Sequence, residues 1–214
     1  LWPLIVIQVA AVTLAVAYQL NAGLRDGLAA VADFKVRGGL LFAFGAGAMA
    51  GGLIPEIAKA VTHRTKQFDR AWLGSALFNA FVYGLVGVEV VVFYSLQTAW
   101  FGPGNSLGTL AIKTAVDMFL FSPTLSIPTA VAAYAWRSSG FAWPRLSWRT
   151  FLEFYAEKIV PPLILCWVFW IPVLFCVYSL APDLQFPFST LAEAAWSMVF
   201  VFVTTEAEVT PDWA

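Results

Sequence analysis

The chain has 214 residues, 60% of them hydrophobic and only 12% charged, with a formal net charge of -1 and a mean hydropathy of +0.78. Soluble domains carry about 25% charged residues, and half that density does not coat a water-facing globule of this size. A soluble enzyme is therefore excluded, and the charge balance lacks the basic footprint of a nucleic-acid binder.

With Leu1 at its start, the chain is expected to be processed or to begin within a longer one, so a targeting segment is not legible. The first apolar run, Leu1 to Leu20, has Gln8, Thr13 and Gln19 as its clearly polar members, and its length suits a bilayer core of roughly 30 Å. A polar stretch follows with Arg25, Asp26, Asp33, Lys35 and Arg37, interleaved with Leu24, Leu28 and Val31; this pattern predicts a short helix lying along the interface. The second run is Gly38 to Val61. Its residues Ala43, Gly47 and Gly51 recur at spacings of four, a small-residue face on which another helix backbone can approach closely. Pro55 is expected to kink or end this helix, because it removes a backbone donor.

A basic loop runs from His63 to Arg70. The third run, Ala71 to Leu96, carries the internal carboxylate Glu89, and a Gly-rich connector, Phe101 to Asn105, leads to the fourth run, Leu107 to Trp136. That run contains Lys113, Asp117, Pro123 and Pro128. The connector Arg137 to Lys158 mixes Trp143, Trp148 and Tyr155 with charges, as headgroup-level segments do. The fifth run, Ile159 to Leu180, holds Pro161, Pro162 and Pro172; the sixth, Leu184 to Thr205, holds Pro187 and Glu193, and an acidic tail follows. No strand alternation repeats with turns, so all spanning backbone is expected to be helical.

The expected fold is thus all-α: one integral membrane domain, residues 1–214, with four core spanning helices plus an extra N-terminal apolar helix and a C-terminal helix. It divides into an N-terminal helix and interfacial segment (1–37), a core bundle (38–205) and the acidic tail (206–214). Lys and Arg concentrate in the loops between runs two and three and between runs four and five, which places those loops on one, cytoplasm-equivalent side. Arg25, Lys35 and Arg37 break that alternation.

Lys113 and Asp117 lie one helical turn apart and can meet. At membrane depth each alone costs about 2.5–3.5 kcal/mol on the insertion scale. The pair either lines a solute path or neutralises itself near the headgroups. Glu89, with Gly84 and Gly87 nearby, either pairs with Lys113, bonds a backbone or sits close to the interface. Glu56, Lys59 and Glu193 read as end-of-helix charges. Pro55, Pro123 and Pro172 mark helix bends. Cys166 and Cys176, roughly 15 Å apart on one helix, are too distant for a disulfide and read as packing thiols. The single histidine, His63, leaves no His-based haem or metal site, and no nucleophile–base set or phosphate loop is present, so the chain reads as non-catalytic. No cofactor is expected, although the aromatic surface leaves room for a bound lipid or pigment.

These landmarks resemble those of the Mpv-seventeen and twenty-two-kilodalton peroxisomal membrane protein family, from about Gly38 to Thr205. Asp69-Arg70, followed by a Gly-containing helix ending in Phe93-Tyr94, resembles the family's Asp/Arg entry and Trp-Tyr exit. Lys113, Asp117 and Pro123 resemble its Lys…Asp-Gln…Pro stretch. Ile159-Val160-Pro161 and Trp167 to Pro172 resemble its Trp-Pro…Asn-Phe…Val-Pro stretch, and Trp196 the Trp of its last helix. Met118 stands where the motif has Gln, Trp167 stands near its Asn, and no Arg follows Pro172. The first family helix's Gly-Asp…Gln is missing, and the run Leu1 to Leu20 is extra.

The resemblance implies a small bundle associated with poorly selective solute passage, in a divergent member of bacterial or algal type. The implied membrane is that of an organelle (mitochondrial inner, peroxisomal or chloroplast) or the bacterial cytoplasmic membrane. Two functional expectations stand side by side. One is a channel-like or membrane-homeostasis protein with Asp117, Lys113 and Glu89 around a polar cavity. The other is a non-catalytic accessory subunit of a photosynthetic or respiratory membrane complex. The expected partners are the lipid bilayer and other membrane subunits or further copies of the chain, without nucleic acid.

Overall fold

A computed structural model describes residues 2–62, 68–142 and 147–209. Within them the chain is helical throughout, in six continuous helices: α1 (Trp2–Leu20), α2 (22–62), α3 (Arg70–Phe101), α4 (Leu107–Ser138), α5 (Trp148–Tyr178) and α6 (Pro182–Val209). Helices α2 to α5 are each long and apolar enough to cross a membrane. This is a multi-pass helical membrane protein with an additional apolar helix at its N-terminal end.

Short polar residues set where the helices begin. The side chains of Asn21, Asp69, Ser106 and Ser147 accept from the backbone N–H groups of Leu24, Trp72, Thr109 and Thr150, at 3.1, 2.8, 3.3 and 3.2 Å. Each satisfies one of the donors that a first turn leaves unpaired. Gly102, at φ +79°, ends α3 in a conformation that favours glycine.

The interfacial segment and the second apolar run form a single helix, α2, rather than two. Their expected junction at Gly38 survives as a kink at Gly39, whose φ of 51° and ψ of -134° are non-helical. Two of the three cations that break the charge alternation are engaged locally. Arg25 caps the end of α1 by donating to the carbonyls of Tyr18 and Gln19, and Lys35 pairs with Asp183 at the start of α6, 2.9 Å away.

The prolines do not end the helices that hold them. The chain stays helical through Pro55, Pro123 and Pro172. Wide π-helical turns occupy Ala48–Leu53, Asp117–Ser126 and Tyr155–Ile159, so each precedes or contains a proline: Pro55, Pro123, and the pair Pro161-Pro162. A wider turn accommodates the ring that would collide with the carbonyl one α-turn back.

What the prolines do is orphan carbonyls, and neighbouring helices answer them. Pro172 cannot donate to Val168, and Gln8 of α1 donates there instead, at 3.3 Å. In the wide turn of α4 the bonding register is five residues, as Ile127 N–H to Ser122 O shows. In that register Pro123 would serve Met118, and Pro128 would serve Pro123. The indole of Trp167 donates to Met118 O at 2.8 Å, and the hydroxyl of Tyr155 donates to Pro123 O at 2.9 Å. Lipid supplies no such donor, so side chains must.

Helix α2 packs along α3 and α6, α4 packs on α3 and α5, and α6 closes the ring by touching α2, α3 and α5. Helix α1 lies outside, on α5 and α6. Its two glutamines, eleven residues apart and hence on one face, both bond α5 or the residue following it: Gln8 at Val168 and Gln19 at Ser179 O, 2.7 Å. Beside them Val9, Val12 and Val16 of α1 are exposed and apolar, as suits a lipid-facing surface.

Candidate functional site

One wall of the bundle is the crossing of α2 and α3. A Cβ added at Gly47 would meet Tyr83 O at 2.4 Å, and one added at Gly87 would meet Ala43 O at 2.5 Å. At Gly51 it would meet the Tyr83 ring at 2.2 Å, and at Gly52 the backbone of Ala80 at 2.6 Å. Ala43, Gly47 and Gly51 thus lie along this crossing, with Gly84 and Gly87 facing them from α3. Backbones touch because side chains are missing.

Away from that wall a few buried polar side chains link three helices. Asp117, 4% exposed, accepts from the Tyr178 hydroxyl. Tyr178 in turn accepts from Gln97 Nε2 at 2.8 Å, and the same amide donates to Lys113 O at 3.0 Å. Gln97 and Lys113 are fully buried. These links tie α3, α4 and α5 together through a single tyrosine.

The expected meeting of Lys113 and Asp117 is corrected: they form no ion pair among the described residues. Asp117 stands one α-turn after Lys113, its N–H donating to Lys113 O, but Tyr178 occupies its carboxylate. The Lys113 ammonium instead lies 5.8 Å from the centre of the Tyr178 ring, with no hydrogen-bond partner. Glu89 does not pair with Lys113 either; it accepts from Thr129 of α4 at 2.8 Å. Glu56 is more than an end-of-helix charge. It is buried and joins α2 to α3, accepting from Asn79 Nδ2 and from Lys59, both at 2.8 Å.

Between α3, α4, α5 and α6 lies a cavity of about 430 Å³. Asp117 and Glu193 contribute carboxylates to it. Tyr83, Tyr94, Tyr134, Ser122 and Ser189 contribute hydroxyl-bearing side chains, and Phe121, Trp170 and Trp196 contribute aromatic rings. Among the described residues, no basic side chain lines it. Asp117 and Glu193 stand ten and eleven residues into their helices, about 15 Å along the axis from their starts. Of the three residues expected around a cavity, Asp117 lines it, whereas Lys113 and Glu89 do not.

Glu193 was the residue hidden by the reading as an end-of-helix charge. The helix extends past it to Val209, and Ser197 donates to its carboxylate at 3.4 Å. A signal was present in the sequence: Ser189, Glu193, Trp196 and Ser197 recur at steps of three and four, a polar stripe in an apolar helix. Among the described residues no group of His, Cys, Asp and Glu is placed to hold a metal ion, and Cys166 and Cys176 are free thiols. Compared with known proteins, the chain matches no family model, no curated protein and no solved structure.

Proposed function

We propose that this membrane protein handles small solutes at membrane depth, with the cavity between α3, α4, α5 and α6 as its solute chamber. The observation that carries the reading is the pair of carboxylates, Asp117 and Glu193, facing roughly 430 Å³ of interior space in the middle of an apolar bundle. Ionisable side chains are expensive at this depth and are found where they face a wet cavity or a solute path. A protein selected only to pack would fill such a volume with hydrocarbon. The resemblance to the Mpv-seventeen and twenty-two-kilodalton peroxisomal membrane protein family supports the same reading, since Asp117 and Pro123 fall on its landmarks. Under it the protein is channel-like and serves membrane homeostasis by passing solutes.

Reconstitution into liposomes tests this. Wild-type protein is expected to release entrapped small solutes faster than protein-free vesicles, or to raise planar-bilayer conductance, with Asp117→Asn altering the rate. Release and conductance no greater than in protein-free membranes would overturn the proposal.

A further inference from the structure

The chamber's lining carries a second message, one of charge. Two carboxylates from different helices, Asp117 of α4 and Glu193 of α6, face the same space, and among the described residues no basic side chain lines it. Lys113 stands one turn before Asp117, yet its ammonium lies 5.8 Å from the centre of the Tyr178 ring and it is not among the residues lining the cavity. Charges held in a low-dielectric interior demand a partner of opposite sign. Here the protein supplies hydroxyl donors but no cation.

The rest of the lining narrows what the partner can be. It is mostly apolar and aromatic, with Trp170, Trp196, Phe121 and Tyr94 around the carboxylates. A bare metal ion wants a shell of six or more oxygens, and the described residues offer no cluster for one. Aromatic faces attract cations with organic bodies, above all substituted ammonium groups. The volume suits such a body, since pockets for small organic molecules run from about 300 to 1,000 Å³.

We propose that the chamber takes small organic cations, with Asp117 and Glu193 as counter-charges to an ammonium head and the surrounding rings embracing its apolar body. This rests on the solute-chamber reading and names its substrate class. Anions are refused by the two carboxylates. A neutral solute of the same shape gains the apolar contacts but leaves the charges unmet.

The test uses the full chain in lipid nanodiscs and calorimetric titration with benzyltrimethylammonium, beside neopentylbenzene, which has the same shape without the charge. The cation is expected to bind at least about tenfold more tightly than its isostere, a difference of about 1.4 kcal/mol. Glu193→Gln is expected to erase that preference while leaving binding of the isostere unchanged. Asp117→Asn, which keeps an acceptor for Tyr178, is expected to do the same. Equal affinity for the two probes in the wild-type protein overturns the proposal without reliance on any variant, and so does a Glu193→Gln protein that keeps the full preference. Liposome flux separates this inference from the one beneath it. Cation-selective binding without solute release rejects passage and keeps the cation site. Release indifferent to solute charge rejects the cation site and keeps passage.

Discussion

The two flanks of α3 solve opposite problems. On the α2 side, Gly47 and Gly87 remove side chains until backbones meet, and a single buried bond from Asn79 to Glu56 adds to the close fit. Toward α4, α5 and α6, large rings and carboxylates stand apart around open space, and each polar group there needs a named partner: Tyr178 for Asp117, Ser197 for Glu193. Where lipid offers no hydrophobic force between helices, contact comes from close fit. Room for a solute comes from a rigid seam elsewhere that keeps the bundle from collapsing into it.

The largest expected effect breaks the close-fitting flank. Gly87→Leu would drive a side chain into the backbone of Ala43, costing about 3 kcal/mol or more, the upper end for overpacking. Thermal unfolding in detergent should show a strongly destabilised protein; a melting temperature near that of wild type would mean the crossing is loose. On the polar flank, Tyr178→Phe strips a donor from Asp117 and an acceptor from Gln97, both buried, at a cost of about 1–3 kcal/mol. Chemical denaturation should register it, and an unchanged midpoint would show the network to be dispensable.

Removing a carbonyl's donor should cost less. Trp167→Phe and Gln8→Leu each leave a proline-orphaned carbonyl unmet, for about 0.6–2 kcal/mol in a membrane setting. The two bonds meet α5 at adjacent residues, Trp167 and Val168, so the double substitution is expected to depart from additivity; strictly additive costs would show the two sites to be independent. The smallest effect has the opposite sign. A Cβ at Gly45 meets nothing within 4 Å, so Gly45→Ala should stabilise α2 by up to about 1 kcal/mol. A loss of stability there would reveal a neighbour, such as a second copy of the chain, on that face.

The same contrast explains what could be read before the fold was seen. The Ala43, Gly47 and Gly51 stripe is a local pattern, and the face it marks lies against α3. Four spanning helices follow from hydrophobic length alone. The network at Asp117 depends on Tyr178, sixty-one residues away, and no local spacing shows such a partner. Lys113 and Asp117 do lie one α-turn apart, but Tyr178, from a distant helix, takes the carboxylate and leaves the ammonium beside its ring. The prolines were legible as special positions; the carbonyls they leave unpaired are answered by Gln8, Tyr155 and Trp167 from distant sequence, partners that no local spacing shows. Glu193 reads from sequence as an end-of-helix charge although it lies well inside the run Leu184 to Thr205, and its polar neighbours at helical spacing marked the face.

The account stands on the chamber being reachable from water. The two native thiols test this directly, since Cys166 lines the chamber and Cys176 lines the apolar groove beneath α1. Protein in sealed liposomes, treated with a small cationic methanethiosulfonate and mapped by mass spectrometry, is predicted to be modified at Cys166 well before Cys176. Modification of Cys176 first, or of neither thiol while the protein remains folded, would contradict a solute chamber at membrane depth.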